Sequence, residues 1–176
     1  MEITPLAAAD TAAVDRFLRA VSERDRTFFK ENVDDPEVRA AWLRPGASRS
    51  VALDGDTVVG FVEVVPLQGW SSHVGEVRVV VDENHRGRGI GRALARHAVL
   101  EALHLGLTKM VVEVTADSEP TIAMFRSLGF DPEALLKDHV RDYQGRLNDL
   151  MILAHSVEES LAAMTAAGIV DGVEGR

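Results

Sequence analysis

The residues of this chain best suited to chemistry lie together. From Val79 to Leu94 the sequence reads Val-Val-Val-Asp-Glu-Asn-His-Arg-Gly-Arg-Gly-Ile-Gly-Arg-Ala-Leu. Gly87, Gly89 and Gly91 fall at every second position among Arg86, Arg88 and Arg92, between a strand-like run and a helix-like run. Without Cβ atoms, glycines let the backbone approach a ligand and take conformations closed to other residues. Unpaired N–H groups at a helix start point into the space ahead of it and favour an anion. Arginines there add charge suited to phosphate oxygens. The plainer alternative is a tightly packed helix start with solvated arginines. Position, spacing and charge all favour the anion cradle instead. The spacing is not Gly-x-Gly-x-x-Gly, and no Gly-Lys-Ser/Thr closes a nucleotide loop.

Three carboxylates fall on strand-like segments: Glu63, Glu76 and Glu113. Val77, Val79 and Val81 share one face of their strand by alternation, so Glu76 points to the other. Other catalytic sets are missing. The chain has no cysteine, which removes disulfides, zinc-thiolate sites and cysteine-bound intermediates. No Gly-x-Ser-x-Gly elbow is present. His97 and His104, two turns apart on the polar face of a helix, read as solvated side chains rather than metal ligands. His85 adjoins the glycine loop and reads chiefly as loop surface.

These groups are positioned by a chain of 176 residues, 46% hydrophobic and 27% charged. That size suggests one domain able to bury a full core. A net charge of -9 argues against a nucleic-acid footprint. The apolar run Leu150 to Ala154 is far short of the roughly 20 residues that span a bilayer. Met1-Glu2-Ile3 does not begin a secretory signal, so the expected compartment is cytoplasmic.

Periodicity predicts a strand near Ile3, then a helix from Asp10 with Val14, Phe17, Leu18 and Val21 inward. A second helix opens at Asp35-Pro36-Glu37, runs through Trp42 and Leu43, and stops at Arg44-Pro45-Gly46. Strands Val51 to Leu53 and Thr57 to Val65 flank the turn dipeptide Asp54-Gly55, and Gly75 to Val81 forms a third antiparallel strand. A helix from Ile90 to Leu105 buries Ile90, Leu94, Ala95, Ala98, Val99, Ala102 and Leu105. There follow a strand Lys109 to Thr115, a short helix Pro120 to Leu128, strands Ala134 to Arg141 and Leu147 to Ala154, and a helix Ser156 to Ala167 capped by Ser156. Residues 171–176 read as a frayed tail. The sum is one α+β layer domain with a mixed sheet and helices on its faces.

The loop Arg86-Gly87-Arg88-Gly89-Ile90-Gly91, with a short helix ending in Gly129-Phe130, resembles the GNAT superfamily of N-acetyltransferases. The resemblance covers residues 1 to about 155; residues 156–176 are expected to be the terminal helix and tail of the same domain. It implies the acyl-CoA N-acyltransferase fold, a mixed but mostly antiparallel sheet of about seven strands with helices on both faces. It implies acetyl transfer from acetyl-CoA directly to a primary amine, with no covalent intermediate. Acetyl-CoA and an amine acceptor are then the partners, with no nucleic acid, no membrane and a possible homodimer. Expected cofactor contacts come from Val79, Val80 and Val81 on the strand, from Arg86, Gly87, Arg88, Gly89, Ile90, Gly91 and Arg92, and from Ser118, Phe125 and Arg126.

An alkyl amine has a reference pKa near ~10.4, so neutralising it at pH 7 costs roughly 4 to 5 kcal/mol. A base or a water path is therefore expected. Glu76 is the best match to the family's position, against the alternative of a carboxylate simply paired with Arg78. Glu113 and Glu63 are the other candidates. Where many relatives carry a tyrosine that protonates the departing thiolate, this chain has Phe125, leaving water, Ser118 or Tyr143. Ser118 replaces the asparagine of many relatives. Arg126 either reaches the CoA phosphates or is an ordinary surface arginine. Among the aromatics, Phe29, Trp42 and Trp70 line the acceptor cleft on one reading; on the other, the phenylalanines Phe28 and Phe29 pack in the core and Trp70 serves an interface. Two further readings stand beside the enzyme: a non-catalytic acyl-CoA-binding or regulatory module, and an anion-binding scaffold unrelated to CoA.

Overall fold

The computed structural model describes residues 1–9, 11–26, 29–44, 46–142 and 144–157. Asp10, Phe28, Pro45 and Tyr143 lie outside the described residues, as do the expected helix beyond Val157 and the tail.

Seven strands make one sheet: β1 (Glu2–Pro5), β2 (Ser48–Asp54), β3 (Thr57–Pro66), β4 (Val74–Val81), β5 (Lys109–Thr115), β6 (Asp131–Arg141) and β7 (Leu147–Ser156). Their spatial order is β1-β2-β3-β4-β5-β7-β6. Every neighbouring pair is antiparallel except β4 and β5. A parallel join needs a long crossover, and the helix α4 (Ile90–His104) supplies it. The β2–β3 turn places Gly55 and Asp56, not Asp54 and Gly55, at its centre: Asp54 pairs with Thr57 and Gly55 has φ 59°. β7 runs two residues further than expected because Lys109 pairs with Ser156, so the expected helix cap is the last residue of a strand.

Helices cover both faces. On one side α1 (Thr11–Ala20) buries Ala13, Phe17 and Leu18 beside Val51, Val58, Phe61 and Val80. There α3 (Pro36–Ala41) starts as read: Asp35 Oδ1 accepts from the Glu37 N–H at 2.8 Å, one place past Pro36. A short turn of helix that the periodicity did not predict, α2 (Glu23–Arg26), lies between them. On the other side α4 buries Ile90, Leu94, Ala95, Ala98, Val99 and Ala102 against Val59, Val62, Val64 and Val77. Each large apolar side chain so buried contributes roughly 1.5–3 kcal/mol. Leu105 lies past the helix end and is partly exposed. The last helix among the described residues, α5 (Glu119–Arg126), sets Phe125 edge-to-face on Phe130, centroids 5.2 Å apart.

The sheet is continuous at one end and forked at the other. β4 and β5 pair only from Val74↔Lys109 to Val77↔Val112, yet both strands continue, to Val81 and Thr115. Beyond Val77 their facing edges part.

Candidate active site

The glycine loop fills the bend between β4 and α4. Gly87 has φ 75° and Gly89 has φ 81°. These are left-handed values that glycine takes without strain. A Cβ on either would meet nothing within 4 Å. Gly89 caps α4 without a side-chain bond. The backbone N–H groups of Gly87, Arg88, Gly89, Ile90, Gly91 and Arg92 meet no acceptor among the described residues. Such a row of free donors at a helix N-terminus favours an anion, which makes it the candidate cradle.

The arginines divide. Arg92 lines the cleft that opens in front of the cradle. Arg86 also borders it, but its half-exposed guanidinium is already engaged: Nη2 donates to Asp25 Oδ2 at 2.5 Å and Nε to the Val81 carbonyl at 3.3 Å. Arg86 thus ties the loop to α2. The side chains of Arg88 and Arg126 are exposed and lie outside the cleft lining, although the Arg88 N–H belongs to the row of donors. His85 does line it, its Nδ1 2.9 Å from Asp82 Oδ2. Partial burial raises the Asp82 carboxyl, but the Asn84 N–H and His85 outweigh this and hold it below the usual range.

From the cradle the cleft, about 690 Å³, enters the fork. Backbone groups alternate sides along a strand. The Asp82 N–H donates to Val59 of β3, so Val80 also faces β3, whereas Val79 and Val81 turn theirs to the open edge. Of the three valines expected to offer backbone groups, Val80 therefore lines the cleft only with its side chain. The far wall carries Ser118, whose hydroxyl donates to Thr121 Oγ1 at 2.9 Å, and Phe125, which is also nearly fully buried. No hydroxyl stands at position 125.

The acidic residues sort themselves by alternation. Glu76, Arg78, Glu113 and Glu63 share the face opposite α4, where an alternating chain of ion pairs crosses the strands. Arg49 Nε is 2.9 Å from Glu63 Oε2, and Arg78 Nη1 is 2.7 Å from Glu63 Oε1. Arg78 Nε is 2.9 Å from Glu76 Oε1. Lys30 Nζ closes the chain, 2.7 Å from Glu76 Oε1 and 2.6 Å from Glu113 Oε2. Glu76 and Glu113 line the cleft; Glu63 does not. Glu63 is fully buried with both oxygens engaged, and burial pushes its carboxyl up against the pull of Arg78 and Arg49. Its place is within the ion-pair framework, between Arg49 and Arg78, and not at the cleft. At Glu76 burial raises the carboxyl, but bonds from Arg78 and Lys30 prevail and hold it below the ordinary value. Glu76 is paired with Arg78, as one reading of the sequence had it, and it also lines the cleft.

Of the two readings of the aromatics, the core packing holds for Phe29, and neither Trp42 nor Trp70 lines the cleft. Phe29 and Trp42 are buried and stack with each other and with Phe61, at 5.8 and 5.1 Å along the series Phe29–Trp42–Phe61. Trp70 is 97% exposed in the β3–β4 loop, away from the lining. His97 is not simply solvated: its Nε2 lies 3.0 Å from Ser50 Oγ of β2. His104 is exposed. Lys30 and Asp25 were invisible to spacing arguments, since the residues they pair with, Glu76 and Arg86, lie far along the chain.

The acetyltransferase (GNAT) family profile matches residues 16–130, and the chain belongs to that family. It is 37% identical over 81 residues to the streptothricin acetyltransferase of Streptomyces lavendulae, spanning 46% of this chain and 42% of that protein. It is 38% identical over 81 residues to the mycothiol acetyltransferase of Kocuria rhizophila, spanning 44% of this chain but 27% of that protein. The matches thus cover less than half of either relative. Among solved structures, a ribosomal-protein-alanine N-acetyltransferase from Brucella melitensis superposes with TM-score 0.73 at 27% identity, covering 89% of this chain and 99% of that one. yncA of Salmonella typhimurium, solved with its cofactor acetyl-CoA, shares the fold at TM-score 0.74 and 22% identity, covering 90% and 94%.

Proposed function

We propose that this chain transfers an acetyl group from acetyl-CoA directly to a primary amine. The observation that carries the reading is the row of unpartnered N–H groups from Gly87 to Arg92 opening into a forked strand pair with two carboxylates beside it. In this reading those N–H groups hold the pyrophosphate, with Arg92 adding charge. The open backbone edge at Val79 and Val81 takes the pantetheine arm and offers the N–H that receives the thioester oxyanion. Glu76 and Glu113 hold the acceptor as its ammonium and conduct one proton away before attack. A carboxylate kept ionised by Arg78 and Lys30 binds an ammonium well and passes its proton on to water.

The departing thiolate, with a thiol pKa near ~8.5, leaves without a dedicated acid. Phe125 favours one competing reading, a module that binds acyl-CoA without turnover. A reducing, cytoplasmic setting suits a chain without cysteine. Pairing of two copies is in keeping with the exposed outer edge of β6, where Leu135 is half exposed.

The deciding experiment measures CoA release from acetyl-CoA against a panel of amines, alongside thermal stabilisation by CoA. Release with one or more amines supports the enzyme. Stabilisation without release on any amine supports the binder. Absence of both removes the CoA assignment.

A further inference from the structure

In the proposed reaction Lys30 does no more than help keep Glu76 ionised. Its ammonium lies where an acceptor's would, 2.7 Å from Glu76 and 2.6 Å from Glu113. It lines the same cleft as Val79, Gly89 and Phe125. We propose that Lys30 is itself an acceptor, a site of self-acetylation within one chain; this rests on the acetyl-transfer reading above.

The backbone fixes Lys30 in place. Phe29 is completely buried, and its carbonyl accepts from Arg78 Nη1 at 3.0 Å. Lys30 then takes φ 59°, a left-handed value uncommon outside glycine, and its side chain enters the cleft. Its side chain is still 37% exposed, so it is reachable from the open cleft. A nucleophile within hydrogen-bond reach of its base is the arrangement that acyl transfer needs. The step balances simply. Glu76 takes one ammonium proton, and the amine nitrogen attacks the thioester carbonyl carbon. The C–N bond forms, the C–S bond breaks, and CoA leaves as thiolate. The nitrogen sheds its second proton to water or to the thiolate, giving a neutral acetamide and free CoA. Glu76 and Glu113 then lose the cation they share.

The chain supplies its own controls, because it holds only three lysines. Lys109 is tied to Glu133 at 2.7 Å, and Lys137 is exposed on β6; neither lines the cleft. The test incubates the full chain with acetyl-CoA and no added amine, then maps acetylation at Lys30, Lys109 and Lys137 by peptide mass spectrometry. CoA release with the amine panel is measured on the same preparation. The expected result is modification of Lys30 at least about tenfold faster than of the other two, the advantage of a nucleophile held beside its base. The first-order rate should not change with protein concentration, and Glu76→Gln should slow it.

Turnover of external amines with no acetyl group on Lys30 overturns the self-acceptor proposal and leaves the transfer reading standing. Equal modification of all three lysines, or a rate that rises with protein concentration, overturns it too. Neither turnover nor modification means that the transfer reading has failed and the proposal with it.

Discussion

Replacing Gly89 by glutamate tests the cradle most directly. Position 89 has φ 81°. Any side chain there adds left-handed strain of roughly 1–2 kcal/mol. A Cβ meets no atom within 4 Å, so no steric clash follows. The new carboxylate would sit among the N–H donors that serve the pyrophosphate. Two unit charges about 4 Å apart interact by roughly 4 kcal/mol at an effective dielectric near 20. Screening at an open cleft mouth cuts this to about 2 kcal/mol, or ~30-fold in affinity. Gly89→Lys supplies the control, with the same strain and the same Cβ but the opposite charge. Both variants should lose similar stability in urea. In calorimetric titration with CoA, Gly89→Glu should bind at least ~30-fold more weakly than Gly89→Lys. Equal affinities would show that no phosphate lies at this helix start and would remove the site assignment.

Three further substitutions probe the ion-pair chain and the packing beside it. Glu63→Ala strands Arg49 and Arg78 in a mostly buried place and should cost about 3–5 kcal/mol by chemical denaturation; a cost under about 1 kcal/mol would mean that water replaces the carboxylate. Glu76→Gln should leave CoA affinity unchanged and lower turnover by about 10²-fold, most at the acid end where neutral amine is scarcest; an unaltered pH–rate profile would pass the role to Glu113 or water. The Glu76 carboxyl is depressed in the folded state, so its contribution is present above the ordinary value of 4.5 and lost as pH falls through the folded one; Glu76→Gln should flatten the acid limb of stability below pH 4.5. At Gly75 a Cβ would fall 2.5 Å from Leu107 Cδ1 and 3.1 Å from Val64 Cγ1. Gly75→Ala should therefore cost about 1–3 kcal/mol, and less in a Leu107→Ala background; additive costs would refute the clash.

What could be read from the sequence was what is local. The glycine spacing, the helix start at Asp35-Pro36 and the alternation that turns Glu76 away from Val77 and Val79 each depend on a few adjacent residues. The family order of elements supplied the sheet. The errors have one physical origin, in that pairing partners lie far apart in the chain. Nothing near Arg86 signals that Asp25 will claim its guanidinium, and nothing near Glu76 signals Lys30. Phe29 and Trp42 were candidates for the cleft because aromatic residues suit both walls and cores. They went to the core because Phe61 of β3 offers a stacking partner there. Glu63 and Glu76 are both strand carboxylates, and only the depth of burial, a property of the folded sheet, separates them.

The fork has a mechanical consequence. Four rungs, Val74 to Val77 against Lys109 to Val112, with the His73 carbonyl accepting from the Thr108 and Lys109 N–H groups beside them, join a four-stranded wing to a three-stranded wing. They act as a hinge pin whose leverage grows toward the mouth, with Leu107 wedged under Gly75 at the fulcrum. A small change of angle there is magnified several residues away at Val81 and Thr115. The width of the jaws is therefore governed from the end of the sheet that holds no reactive group.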